Sequence, residues 1–354
     1  MTLSKRIWQW ITGKPRTAQQ TRAVGRQALT HVIILDGTGS SLQNGNETNA
    51  GLTYKLLCDA PTSAGLSLYY EAGIQWTDWR STSDVAMGRG INRQIRRAYG
   101  YLASRFHPGD RIVLMGYSRG AFAVRSLAGV IDEVGLLKAE KATVRNVRQA
   151  YRHYQCGGDP TVRTAFRRRF CHTDTVIEMI GVWDTVKALG LRLPLLWKLT
   201  EPAHAFHNHH LSTVVKHGFH ALALHETRAV YQPEMWECDN PREGRVAQVW
   251  FRGTHGDVGG HLSGFEASRP LANIPLVWML ERLEDCDVTL PENWRARFPC
   301  DASAPSVGLY RGWGKLFLLR RKRVVGQDPS ESVHPTAQTD SPAGQAAPGP
   351  LHQT

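Results

Sequence analysis

Ser118 stands between two glycines, in Gly116-Tyr117-Ser118-Arg119-Gly120. The apolar run Ile112-Val113-Leu114-Met115 precedes it and a helix-like stretch from Ala121 to Val134 follows. A serine on a tight strand-to-helix turn can push its hydroxyl out above a sheet, where it can act as a nucleophile. Gly116 and Gly120 leave room for strand and helix to approach closely. The helix N-terminus behind the serine favours developing negative charge. An ester-cleaving serine needs a base, and the base needs an orienting acid. Asp184, in Gly181-Val182-Trp183-Asp184-Thr185-Val186, and His255, in Trp250-Phe251-Arg252-Gly253-Thr254-His255-Gly256-Asp257-Val258-Gly259-Gly260, supply both in the order Ser, Asp, His. The competing reading of the pentapeptide is a glycine-rich turn with a capping serine.

A tetrahedral oxyanion needs N–H donors. The backbone of Arg119 and the loop Gly37-Thr38-Gly39 are the candidates, since glycines permit close backbone approach. Asp36 could orient the histidine or anchor its own loop by accepting N–H bonds, and anchoring is favoured. Asp257 is a second rival for the acid; two residues from His255 on a tight loop, it reads better as a turn-former.

The elements that must position these residues are legible. His31-Val32-Ile33-Ile34-Leu35 is a buried strand by its continuous apolar character and ends at Asp36. Leu66 to Tyr70 is a second strand, Arg111 to Met115 a third, Thr175 to Val182 a fourth and Val246 to Phe251 a fifth. Ile91 to Phe106 reads as an amphipathic helix closed by Pro108-Gly109. Alternating strands and helices predict an α/β fold: a mostly parallel central sheet with helices on both faces. Ligands bind such sheets at the carboxyl ends of strands. Asp36, Ser118, Asp184 and His255 all fall there, and the arrangement is α/β-hydrolase-like.

The chain has 354 residues, 42% of them apolar, enough for one large domain. Its 43 basic and 31 acidic residues give a net charge of +12. No acid precedes Asp36, while Lys5, Arg6, Lys14, Arg16, Arg22 and Arg26 are basic, and Arg320-Arg321-Lys322-Arg323 is a second cluster. A solvated surface with solubilising tails accounts for this as well as an anionic partner does. Residues 1–28 are expected to be a basic leader, flexible or surface-packed, whose patch Ile7, Trp8, Trp10 and Ile11 could touch a membrane interface. Residues 29–323 are expected to be the catalytic domain. Within it lies an apolar insertion near 187–215, either a lid that receives an acyl chain or an ordinary buried segment. From 324 to 354 the composition predicts a disordered tail. No run approaches the roughly 20 residues of a membrane span, and no secretory signal is legible.

The six cysteines form no CxxC pair, so reduced thiols and no zinc site are expected. Among the 15 histidines, His204, His207, His209, His210, His217, His220 and His225 crowd one stretch without a zinc spacing. Surface and packing roles are expected for them, and no metal or other cofactor.

Several segments in order resemble one family: Leu35-Asp36-Gly37-Thr38-Gly39, Tyr69-Tyr70-Glu71-Ala72-Gly73, the Ser118 pentapeptide with Ala121, the Asp184 hexapeptide, His220-Ala221-Leu222-Ala223-Leu224, and Val249 to Gly260. This is the bacterial type VI secretion phospholipase-effector family, type VI lipase effector family 1, an α/β-hydrolase domain. The resemblance covers roughly residues 30 to 285. It implies a Ser118-Asp184-His255 triad and hydrolysis of phospholipid esters by members that act as secreted effectors. It also implies export by type VI secretion and a delivery or immunity partner, while the reduced thiols and the lack of a legible signal or span lead to the expectation of a cytoplasmic location in the producing bacterium. The chain departs from the family pattern in His225 where an acid is usual, Arg252 for proline, Gly256 for serine and His261 for glycine.

Three functions compete. The first is a serine esterase on a phospholipid or related lipid ester, with peripheral membrane contact and no specific nucleic acid. The second is an inactive hydrolase-like module that holds an anionic partner. The third is a thioesterase or peptidase, since one triad attacks any activated acyl group.

Overall fold

The computed structural model describes residues 16–19, 27–73, 89–157, 159–186, 210–238, 244–310 and 319–338. The apolar patch at 7–11, most of the 187–215 insertion, and His204, His207 and His209 lie outside them.

The strands are β1 (Arg16–Gln19), β2 (Thr30–Leu35), β3 (Leu66–Glu71), β4 (Arg111–Tyr117), β5 (Ile177–Trp183), β6 (Val215–Ala223), β7 (Val246–Phe251) and β8 (Glu331–Val333). They form one sheet in the order β1-β3-β2-β4-β5-β6-β7-β8. All neighbours from β3 to β8 pair in parallel, and β1 joins β3 antiparallel. The chain runs outward from β2 to β3, then crosses back to lay β4 on the other side of β2. That reversal opens a crevice at the carboxyl ends of β2 and β4.

A strand buried on both faces must be apolar throughout, and β2 is. Its alternation divides the core. Ile33 and Leu35 pack with Ile95 and Leu102 of α2 (Arg89–Ala103) and with Leu127 and Ile131 of α3 (Arg119–Glu133). Val32 and Ile34 pack on the other face with Leu57 of α1 (Asn49–Cys58) and with Leu276, Met279 and Leu280 of the later helix (Arg269–Asp285). The α/β layering expected from sequence is therefore present. Helices α4 (Val144–Cys156) and α5 (Pro160–Phe170) extend the first layer; Thr143 and Asp159 cap their N-termini with side-chain oxygens. The short α6 (His255–Gly259) and then α7 (Arg269–Asp285) follow β7, and α8 (Pro335–Gln338) follows β8.

Two segments depart from the sequence reading. The histidine-rich stretch contains β6, with His217 and His220 on it. The tail expected from 324 is ordered at its start: β8 pairs with β7 through Gln248↔Glu331, Val249↔Ser332 and Trp250↔Val333. Three polar-flanked residues carry no strand signal of their own; the open edge of β7 supplies the template.

Close approach of α3 to β2 depends on Gly120. A Cβ there would lie 2.1 Å from the Leu35 carbonyl oxygen and 2.6 Å from that of Asp36, and backbone cannot yield. Gly120→Ala is expected to cost about 3 kcal/mol or more. By contrast, Gly100→Ala, within α2, meets only Val147 methyls at 3.7 Å and beyond. It should be neutral or stabilising by up to about 1 kcal/mol. Urea unfolding of both variants measures the contrast; similar stabilities would refute the role given to Gly120.

Candidate functional site

Ser118 follows β4 with φ 57° and ψ −120°, immediately before α3. Its amide donates to the carbonyl of Trp183 at 3.0 Å, so the β4–β5 ladder continues to the turn itself. Asp184 follows β5 with φ 42°, and its amide donates to the carbonyl of Ala221 at 2.8 Å. Both residues occupy a region that costs a non-glycine residue about 1–3 kcal/mol and persists only where the surroundings enforce it. His255 opens α6, just past β7.

The structure brings these three together. His255 Nε2 lies 2.9 Å from Ser118 Oγ, and His255 Nδ1 lies 2.6 Å from Asp184 Oδ2. Ser118 is 7% exposed, His255 6% and Asp184 0%. The imidazole is held between two rings: Tyr231 stacks on it at 4.5 Å and 16°, and Tyr117 lies 4.9 Å away at 31°. Tyr117 also donates its hydroxyl to the His255 carbonyl at 3.1 Å.

Asp184 has more partners than the histidine. Arg323 donates Nη1 to Oδ1 at 2.5 Å and Nη2 to Oδ2 at 2.8 Å, and the Ala223 amide donates to Oδ1 at 3.1 Å. Burial alone would raise the Asp184 carboxyl; the Arg323 charge and the hydrogen bonds from His255 and Arg323 outweigh it and hold the group well below the ordinary range.

The supporting residues sort themselves by geometry. Asp36 accepts from the Gly37 amide at 2.7 Å, the Thr48 hydroxyl at 2.6 Å and the Tyr70 hydroxyl at 2.7 Å. It anchors its loop and touches neither His255 nor Ser118. Burial pushes its carboxyl up to about 6 against the pull of those three hydrogen bonds. Gly37 does not fit the oxyanion role expected of it, because its N–H is already given to Asp36. It serves as a spacer instead: a Cβ on it would stand 2.7 Å from the Tyr117 ring and 3.3 Å from Ser118 Cβ. The amides of Thr38 and Arg119 have no acceptor among the described residues. Gly116 faces the backbone of Gly120, where a Cβ would meet the carbonyl at 2.7 Å. Asp257 accepts from the Thr254 amide, the Ser306 hydroxyl and the Val307 amide at 2.7, 2.5 and 2.8 Å, as a helix cap and not a partner of the imidazole.

Four residues that sequence reading passed over complete the surroundings. Glu226 Oε2 accepts from the His255 amide at 3.1 Å and pairs with Arg228 at 2.6 Å. Tyr231 covers the imidazole. His220, fully buried on β6, accepts from the Thr185 amide at 3.1 Å and so braces the residue after Asp184. Burial first, then the Arg125 charge, lower His220 to about 3, so it is neutral at ordinary pH. Arg323 is the fourth, and nothing in its sequence context separates it from the cations beside it. Among the described residues no group of three or more His, Cys, Asp or Glu side chains is placed to hold a metal, all six cysteines are unpaired, and no helix is long and apolar enough to cross a membrane.

Because the folded value of Asp184 lies below the unfolded one, its stabilisation is complete above about pH 4 and is lost as the pH falls toward the folded value. Asp184→Asn leaves Arg323 buried without its counter-charge, at an expected cost of about 3–5 kcal/mol near pH 7. The gap between the two proteins should narrow as the pH falls from about 4 toward 2. Urea midpoints across that range test it, and a gap independent of pH would contradict it.

The family described as T6SS, Phospholipase effector Tle1-like, catalytic domain matches residues 30–282. An uncharacterized protein of Saccharomyces cerevisiae, YEL023C, is 28% identical over 225 residues, 57% of this chain. The chain spans 32% of that yeast protein. Among solved structures, an uncharacterized protein from Pseudomonas aeruginosa is similar over 84% of this chain and 50% of its own, at 14% identity and a TM-score of 0.46. The Tle1 effector bound to the VgrG spike of the Type 6 secretion system is similar over 67% and 52%, at 16% identity and 0.38. The thermophilic esterase Est2 of the Planctomycetes species Thermogutta terrifontis is similar over 79% and 89%, at 13% identity and 0.39. With well over half of its 354 residues matched, the chain belongs to the family of Tle1-like type VI secretion phospholipase effectors, through their catalytic domain.

Proposed function

We propose that this chain is a serine hydrolase of carboxylic esters, acting on phospholipids or related lipid esters through Ser118, His255 and Asp184. The observation that carries the reading is the hydrogen-bonded relay from Ser118 Oγ through both nitrogens of His255 to Asp184 Oδ2, at 2.9 and 2.6 Å. Membership of a phospholipase-effector family supports the substrate class.

Asp184 accepts a hydrogen bond from the Nδ1–H of His255, which keeps the proton on Nδ1 and leaves Nε2 unprotonated and aimed at the serine. Nε2 takes the hydroxyl proton as Oγ bonds to the ester carbonyl carbon. The carbonyl oxygen becomes an oxyanion, and the amides of Arg119 and Thr38 are the donors proposed for it. Collapse of the tetrahedral centre breaks the bond to the leaving alkoxide, which takes the proton from His255. The acyl group is then on Ser118. A water molecule, deprotonated by His255, attacks the acyl carbon; the second collapse returns the proton to Oγ and releases the carboxylic acid.

Export by type VI secretion, with a delivery or immunity partner, is proposed on the family alone. Peripheral contact with a lipid surface is proposed on the substrate class.

Ser118→Ala should lower ester hydrolysis at least about 1,000-fold while the unfolding transition stays within a few degrees of the original. A fluorophosphonate probe should label Ser118 in the unaltered protein and fail on the variant. Phospholipid, acyl-thioester and peptide substrates assayed side by side identify the acyl class, and phospholipid should be preferred. Undiminished hydrolysis by Ser118→Ala would overturn the assignment, whereas absent labelling together with salt-sensitive binding to anionic vesicles would favour the inactive module.

A further inference from the structure

Arg320, Arg321, Lys322 and Arg323 are consecutive, yet they do not share an environment. The first three are exposed, while the Arg323 side chain is 1% exposed. Besides both oxygens of Asp184, its guanidinium donates to the carbonyls of Ala223, at 2.8 Å, and Tyr231. Removing a guanidinium from water is costly and is tolerated only where fixed partners surround it. A solubilising cation has no reason to be there.

The backbone around Arg323 is tied down as well. The Ala229 amide donates to the Leu319 carbonyl at 2.9 Å, and the Arg321 amide donates to the Thr227 carbonyl at 2.7 Å. The strap from 319 to 333 thus docks along the 224–231 segment before it adds β8 to the sheet. That segment carries Glu226, which holds the His255 amide, and Tyr231, which covers the His255 ring. Arg323 therefore contacts the acid and also the element that seats the base. It lies beyond residues 30–282, the stretch matched by the family.

We propose that Arg323 is a positioning residue for the Asp184–His255 pair, brought in by this C-terminal strap, and that it acts on the pair through both its fork and its charge. The proposal rests on the triad reading above. Its two-point grip fixes the rotation of the carboxylate, so that Oδ2 faces Nδ1 of the imidazole. Its charge offsets part of the carboxylate charge, so an imidazolium at His255 is stabilised less than beside a lone carboxylate. The other groups facing His255 are Ser118, the rings of Tyr117 and Tyr231, Glu226 with its partner Arg228, and His261, with Arg119 beside Tyr231. Glu226 touches only the His255 amide and is paired by Arg228, whereas Asp184 with Arg323 is the ion pair bonded to the ring itself.

The test follows kcat and KM against pH on the full chain, with a short-chain p-nitrophenyl ester, for the unaltered protein, Arg323→Gln and Arg323→Lys. Arg323→Gln should lower kcat about 10- to 100-fold with KM within about twofold. It should also move the acid limb of kcat/KM up by about one pH unit. Arg323→Lys keeps the charge and loses the fork, so its acid limb should stay in place while kcat falls about tenfold. An unmoved limb in Arg323→Gln, whether activity is intact or uniformly reduced, overturns the proposal in favour of a purely structural role. If Arg323→Gln does not fold, Arg323→Lys decides: full kcat, or a limb shifted upward, overturns it. If the unaltered protein hydrolyses no ester and takes no fluorophosphonate, the triad reading fails by itself. The titration of His255 followed by NMR then tests Arg323 separately, with the same upward shift expected in Arg323→Gln and an unchanged titration counting against it.

Discussion

The strand ladder holds two non-glycine residues where the backbone resists going. Ser118 and Asp184 both have positive φ, at 57° and 42°. Each is the first residue past its strand, and each gives its amide to the neighbouring strand before the chain turns. The register Tyr117↔Trp183 puts the ends of β4 and β5 level, and Trp183↔Ala221 leaves β6 running two residues further, to Ala223. The backbones of the serine and the aspartate are therefore placed by the sheet itself, before any side-chain contact is counted. The glycines around them are the sterically necessary complement: Gly120 and Gly116 let α3 start where the turn leaves it.

His255 needs a different solution, because a five-residue helix cannot orient a ring by itself. Its imidazole is clamped by Tyr231 and Tyr117, its amide by Glu226, and its Nδ1 by Asp184. Charge is arranged with the same economy. Glu226 meets Arg228 and Asp184 meets Arg323, so each of the two carboxylates bonded to His255 is also paired with a cation.

Much of this was legible in the residues. Continuous apolar runs give β2, β4 and β5, because strands covered on both faces cannot alternate. Ser118, Asp184 and His255 stand just past such runs, and that is where the sheet delivers them. Other elements were hidden for identifiable reasons. β6 mixes Lys216, His217 and His220 with small residues, so its period is obscured. β8 is three residues long and exists by pairing with β7. Arg323 differs from Arg320 and Arg321 only by what surrounds it, and composition cannot see surroundings. The amide of Gly37 looked available because the demand from Asp36 arises only when Thr48 and Tyr70 fix that carboxylate.

The departures from the family pattern fall around the proposed machinery and not on it. Arg252 donates to the Ala304 carbonyl at 2.9 Å, and His225 accepts from the Gly253 amide at 3.1 Å, so both brace the turn that leads to His255. Gly256 and His261 are coupled to each other. A Cβ at 256 would stand 2.9 Å from the His261 carbonyl oxygen, so the bare glycine accommodates the path the chain takes at 261. The imidazole of His261 in turn reaches Gly39, to which an added Cβ would be 3.5 Å from its Cε1. Burial first, and the neighbouring charge of His255 second, hold His261 below its ordinary value, so it packs against this loop as a neutral ring. Gly39 adjoins Thr38, whose amide is a proposed oxyanion donor. A bulky side chain at that point narrows the space beside this proposed donor. On the proposed esterase reading, selectivity among acyl substrates can change at this wall while the three relay residues are left alone.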